Sequence, residues 1–318
     1  MRRWHNILVG IDFSPASKAA LKAALRLAAF DKAPITLVHI VEPELADEMR
    51  RVNGFDHPQL LRHMEDSLYR FLGKLQNPGQ AMEVHLEVNH PFTGLVSACR
   101  YRGADLLVLG TRGVQHRADQ VGACIRHAPA DVFLVREDAG ERFKRALVCV
   151  DFSATSARAL KVAGHLAQCD RTELDCVFAF RPPVQIAVAM EYPGSIPDLP
   201  DSRACLNAWR KDLGEFFAPI LEPFGAITWR TELCNDPHIR KSLITYAENN
   251  DVDLVVMGTH GKTNLVDFLI GTNAESMLKH AFCSILVVKP PEALAANHGF
   301  HLPRHHILRS NQAGRLLP

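Results

Sequence analysis

The sequence has eight cysteines but no Cys-x-x-Cys pair. They sit among apolar neighbours, as Cys149 does in Leu147-Val148-Cys149-Val150, and read as reduced, buried, small hydrophobes of a reducing compartment. Nowhere do about 18 uncharged apolar residues run together, which excludes a membrane-spanning helix. Behind Met1-Arg2-Arg3 the apolar run Ile7 to Ile11 is too short for a signal peptide core and meets Asp12 at once, so no export is expected. An excess of either charge is also missing: 36 Lys and Arg stand against 35 Asp and Glu. Without a basic field, nucleic acid is not an expected partner, and neither is a membrane. These absences together point to the cytoplasm.

What the sequence does contain is enough apolar material for two cores. Its 318 residues exceed the ordinary span of one domain, which is roughly 100 to 200 residues. Hydrophobic residues make up 47% and charged residues 22%, the balance of a chain that folds by itself. A domain-sized repeat then organises it. Asn6-Ile7-Leu8-Val9-Gly10-Ile11-Asp12-Phe13-Ser14 returns as Arg145-Ala146-Leu147-Val148-Cys149-Val150-Asp151-Phe152-Ser153. Each copy leads into an Ala/Leu-rich amphipathic stretch, residues 16–30 and 154–169. Ala104-Asp105-Leu106-Leu107-Val108-Leu109-Gly110-Thr111-Arg112-Gly113 returns as Val252-Asp253-Leu254-Val255-Val256-Met257-Gly258-Thr259-His260-Gly261.

Short β-branched runs alternate with stretches of helical period, the pattern of parallel strands joined by crossover helices. Strands are expected near 6–11, 34–41, 82–88, 105–109 and 131–135, then near 145–150, 173–180, 226–232, 253–257 and 284–288. Their apolar residues do not alternate with polar ones, so both faces of each sheet should be covered. The expected fold is α/β, with two tandem doubly wound parallel five-stranded sheets of Rossmann-like type. Polar Asp138 to Arg142, with Gly140, serves as linker between domains at 1–140 and 141–292. Residues 293–318, rich in His and Arg, are expected to form a flexible tail. The Pro-rich stretch Arg181 to Pro200 has no equal in the first half and is expected to be a loop or lid.

In an open parallel sheet, ligands sit beyond the carboxyl ends of the strands where strand order reverses. There the second half has Gly258-Thr259-His260-Gly261, nine residues, then Gly271-Thr272-Asn273 opening a helix. Glycines let backbone approach a phosphate chain, and a helix start offers unpaired N–H groups. Lys262 either meets a terminal phosphate or is a solvated loop lysine. Gly261-Lys262-Thr263 is not a P-loop, because Val256 stands where that motif needs glycine. The first half keeps Gly110 and Gly113, but only eight residues precede Gly122, and Ala123 replaces the hydroxyl; weak or absent nucleotide binding is expected there. Asp12 and Asp151 either cap the helices that follow, in competition with Ser14 and Ser153, or reach the ligand. No nucleophile or carboxylate pair accompanies His260, so no catalytic residue is assigned. The tail histidines lack supporting ligands, and no metal site is assigned.

These residues resemble the universal stress proteins. Nucleotide-binding members of that family have G-x-x-G, nine residues, then G-S or G-T, matched here by Gly258, Gly261, Gly271 and Thr272. The resemblance implies ATP or another adenine nucleotide in the second domain, with Mg2+, completed by Lys262 and Asn273. It implies Asp151, with Phe152 beside it, near the adenosine, and Ala179 and Met257 against the base. The segment 181–200 and the ending 271–290 are similar to the tandem E-type members in particular. The implied function is stress-response signalling or protective binding linked to the nucleotide, with protein partners unnamed and a homodimer left open. Two other readings stand beside it: a nucleotide-free scaffold or carrier using the first-half site, and a slow ATPase with His260 orienting water.

Overall fold

Ser14 and Ser153 open the two helices that shape the halves. Each serine accepts the N–H three residues on, Ser17 at 3.1 Å and Ser156 at 3.0 Å. Each helix then runs 17 residues, α1 over Pro15–Asp31 and α6 over Ala154–Asp170, and stops at a left-handed residue, Lys32 or Arg171. Alanine at many inward positions, such as Ala20, Ala24 and Ala28 in α1, lets the helix lie close on its sheet. The computed structural model describes residues 3–73, 82–112, 118–180, 202–235, 239–259, 277–278 and 282–291. The chain divides into two compact units at Glu141 and Arg142.

In the first unit the described strands are β1 (Ile7–Gly10), β2 (Ile35–Val41), β3 (Met82–Val88), β4 (Leu106–Thr111) and β5 (Asp131–Arg136). They lie in the order β3-β2-β1-β4-β5 and all pair in parallel. Two helices, α2 (Pro43–Asn53) and α3 (His57–Leu72), join β2 to β3, while α4 (Pro91–Arg102) and α5 (Ala118–His127) make the later crossovers. In the second unit the strands are β6 (Arg145–Val150), β7 (Glu173–Phe180), β8 (Trp229–Asn235), β9 (Leu254–Gly258) and β10 (Ser284–Val288). Their order β10-β9-β6-β7-β8 repeats the first, again in parallel. Helices α7 (Ser202–Leu221) and α8 (Ile239–Asn249) cross over beside α6. The central runs Ile7–Val9, Leu106–Val108, Ala146–Val148 and Leu254–Val256 are fully buried, as strands covered on both faces must be.

One strand lies three residues later than its sequence suggests. The apolar run at 226–232 predicts it, but β8 runs Trp229–Asn235. Gly225 turns the chain at φ +74° after a short 3-10 turn over Glu222–Phe224. The ladder then starts only where β7 offers a partner, Leu174 opposite Trp229, and continues as far as Phe180 does. The expected lid at 181–200 and the expected tail at 293–318 lie outside the described residues.

The repeat extends to how each sheet is entered. Backbone N–H groups of Arg3 and Trp4 donate to Asp31 at the end of α1, and those of His5 and Asn6 donate to Asp105. In the second unit Phe143 donates to Asp170, while Lys144 and Arg145 donate to Asp253. Carboxylates thus satisfy the orphan donors that precede each first strand, and Trp4 and Phe143 are buried beside them. Cys99, Cys124, Cys149, Cys169, Cys176, Cys234 and Cys283 are all thiols. Burial raises Cys149 to about 12 and pushes Cys176 further up.

Candidate functional site

Strand order reverses between β1 and β4, and again between β6 and β9. In the second unit the register collects four of the residues predicted for the site. Asp151 and Ala179 follow directly on the paired Val150 and Phe178. Met257 and Gly258 follow Val256, which pairs with Val148. All four stand at the carboxyl ends of adjacent strands, with Met257 buried at 3% exposure. Gly261, Lys262, Gly271, Thr272, Asn273 and His260 lie outside the described residues.

The local geometry at Asp151 settles which residue caps α6. Ser153 is the N-cap, and one oxygen of Asp151 accepts the Ser153 N–H at 3.0 Å. Asp12 does the same for Ser14 at 3.0 Å and also accepts its hydroxyl at 2.5 Å. Between aspartate and serine, Phe13 and Phe152 both sit at φ +62°, a left-handed conformation that costs an L-residue about 1 to 2 kcal/mol. Ring contacts offset that cost. Phe152 lies 5.1 Å from Phe178 and 5.1 Å from Phe216, and Phe180 meets Trp209 edge-on at 4.4 Å. In the first unit Phe13 packs on His39 at 4.5 Å and Phe71 at 5.8 Å.

Beyond the ends of β1, β2 and β4 the first unit opens into a cavity of about 1020 Å³. That volume is at the upper end of ordinary small-ligand pockets, about 300 to 1,000 Å³. Its walls include Asp12, Ile40, Leu109 and Gly110, the register counterparts of Asp151, Ala179, Met257 and Gly258. From α2, Glu44, Leu45, Glu48 and Arg51 line its mouth, spaced along one helical face; Glu42 and Arg112 join them. The sequence offered this half as a site only in the scaffold or carrier reading, and the glycine spacing and Ala123 said nothing of these lining residues. The available signals were His39 inside the apolar strand Ile35–Val41 and the four-residue spacing of Glu44 and Glu48.

His39 stands where Phe178 stands in the other unit. Its Nδ1 lies 2.8 Å from the Ile11 carbonyl, so Nδ1 carries the proton and Nε2 accepts. Burial lowers its pKa, and the Ile11 bond and the charge of Asp12 only partly oppose this. Since the unfolded chain then binds the proton more readily, the neutral ring adds stability above the ordinary histidine pKa, and that increment is lost as pH falls through and below it. His39→Phe is therefore expected to flatten the decline of the unfolding midpoint between pH 7.5 and 5.5. Parallel wild-type and variant curves in urea titrations across that range would refute it.

The first-half glycines have structural roles that their spacing does not reveal. A Cβ on Gly110 would lie 2.2 Å from the Ala16 carbonyl carbon and 2.5 Å from the Ser17 nitrogen. Here α1 backbone occupies the space that a side chain on β4 would need. Gly122 lies inside α5 rather than at its start, so its N–H is committed to the helix ladder. Arg112 pairs with Glu137 at 3.2 Å.

A parallel sheet whose strand order reverses beside a cavity defines the doubly wound, Rossmann-like class of α/β protein. The comparisons narrow that class. The model of the universal stress protein family matches residues 3–136 and 142–289, and the chain belongs to that family, as a tandem member. A universal stress protein of Mycobacterium tuberculosis is 26% identical over 297 residues, covering 89% of this chain and 96% of its own. Universal stress protein E of Escherichia coli K12 is 26% identical over 226 residues, 64% of this chain and 66% of its own. Among solved structures, a putative universal stress protein of Pseudomonas aeruginosa superposes with a TM-score of 0.64 at 17% identity, covering 92% of this chain and 96% of that one. No described helix is long and apolar enough to cross a membrane.

Proposed function

We propose that the second unit binds an adenine nucleotide, ATP with Mg2+ in the first instance, and that the protein acts in the cytoplasm as a nucleotide-linked signalling or protective module of the stress response. The observation that carries this reading is the convergence of Asp151, Ala179, Met257 and Gly258 at one switch point, directly before the motif Gly258-x-x-Gly261, nine residues, Gly271-Thr272. The apolar Ala179 and Met257 suit a base, Asp151 a ribose or base edge, and the glycines with Lys262, Thr272 and Asn273 a phosphate chain. The domains in this reading are 1–140 and 141–292.

Calorimetry of ATP on the full chain tests it. About one site per chain is expected, and Gly261→Val or Gly271→Val should raise the Kd at least tenfold, because a branched side chain would fill the path of the phosphates. Two equivalent sites, or an unchanged Kd in both variants with native circular dichroism, would refute the reading.

A further inference from the structure

The two switch points differ in chemistry as well as in glycine spacing. At the first, two of the N–H groups at the head of α1 are already engaged and a third is missing. Pro15 has no N–H, the Ser14 N–H binds Asp12, and the Ser17 N–H binds the Ser14 hydroxyl. The ground in front of Gly110 is taken by α1 backbone, and Arg112 faces Glu137. The cavity instead presents acceptors. Four carboxylates line it, Asp12, Glu42, Glu44 and Glu48, against two guanidiniums, Arg51 and Arg112. Glu44 and Glu48 have no hydrogen-bond or ion-pair partner among the described residues, and they stand one turn apart on the α2 face that lines the mouth. His39, neutral by burial, adds Nε2 as a further acceptor. Apolar residues, among them Ile40, Leu95 and Leu109, line it as well.

We propose that the cavity of the first unit is a site for a small organic cation, an amine or guanidino compound. Its charged end meets Glu44 and Glu48, and its apolar body lies along Ile40, Leu95 and Leu109. A polyphosphate would bring like charge to this rim. An uncharged ligand would leave the carboxylates unanswered. The tandem chain would then take two chemically opposite ligands at equivalent places in its repeat, an anion in one half and a cation in the other.

The test titrates the full chain with spermidine and with agmatine at low salt, with 1,4-butanediol as an uncharged control and ATP as a separate titrant. Both cations are expected to bind and to raise the melting temperature, and the diol to do neither. E44Q/E48Q should weaken cation binding at least tenfold and leave the ATP isotherm unchanged. Ile40→Trp, which fills the cavity without touching a charge, should also weaken it at least tenfold in a chain that keeps native circular dichroism. Gly261→Val should leave cation binding intact, which separates this site from the nucleotide reading. The proposal is overturned if neither cation binds, if E44Q/E48Q binds them as wild type does, or if ATP displaces them competitively. Undiminished binding in folded Ile40→Trp would likewise overturn it, by placing the cations on the exposed carboxylates alone.

Discussion

Gly110→Ala is expected to be among the most destabilising single-methyl additions in the first unit. The added carbon would stand 2.2 Å from the Ala16 carbonyl carbon, 2.3 Å from its oxygen and 2.5 Å from the Ser17 nitrogen. These are backbone atoms of the first turn of α1, pinned by the Ser14 cap and by the buried Ala16 and Ser17. No rotamer change can relieve the overlap, so either α1 or β4 must move. Overpacking of a core typically costs about 1 to 3 kcal/mol, and an immovable neighbour puts this site at or above the top of that range. Gly122→Ala supplies the internal control. Its Cβ would meet only the Arg126 guanidinium, at 3.4 Å or more, and replacing a helix-interior glycine by alanine gains up to about 1 kcal/mol. Urea unfolding of the two variants should therefore shift in opposite directions. Equal midpoints would show that α1 does not bear on β4 as closely as the geometry says.

Arg230→Ala should be comparably costly in the second unit. Asp175 sits on β7 with its carboxylate 3% exposed and is held in a fork by Arg230 of β8, at 2.7 and 2.9 Å. Tyr246 of α8 donates its hydroxyl to the same carboxylate at 3.1 Å. Burial and the facing Asp175 raise the Tyr246 pKa, so it remains a donor. Removing Arg230 leaves a buried carboxylate with one neutral donor, which should cost about 2 to 3 kcal/mol, below the figure for a pair buried on both sides because water can reach the half-exposed place that Arg230 vacates. The reverse deletion is milder. Arg230 is 46% exposed, so in Asp175→Asn it turns to water, beside Glu232 at 3.8 Å, and the loss should be about 1 to 2 kcal/mol. Chemical denaturation of both variants checks the ordering. A larger loss for Asp175→Asn than for Arg230→Ala would contradict the burial argument. Both residues lie toward the start of their strands, opposite the proposed nucleotide site, so ATP affinity should be unchanged in either variant.

Much of the scaffold was legible because its causes are local. Buried parallel strands need unbroken β-branched and apolar runs, and nine of the ten strands lie within two residues of where those runs place them. The exception, β8, began where its neighbour began. The choice between Asp151 and Ser153 as helix cap was open in the sequence, since both residue types cap. The left-handed turn at Phe152 closed it by directing the serine at the Ser156 N–H and leaving the aspartate to hold the Ser153 N–H. At the first switch point the sequence showed a shortened glycine spacing and left open a carrier site there, without the residues that line it. That cavity depends on α2 reaching over the ends of β1 and β4, a meeting of residues 44–51 with residues 109–112.

The sequence by itself determined the repeat, the alternation of strand and helix, the family and the position of the second-half motif. Each of these is written in neighbouring residues, through period, capping and turn chemistry. Only the tertiary structure decided that Gly110 serves helix packing, that Asp175 finds Arg230 across 55 positions, that His39 is a neutral acceptor, and that carboxylates gather at the first switch point. The physical reason is the same in each case: close approach, desolvation and local field depend on which distant segments the parallel register brings side by side.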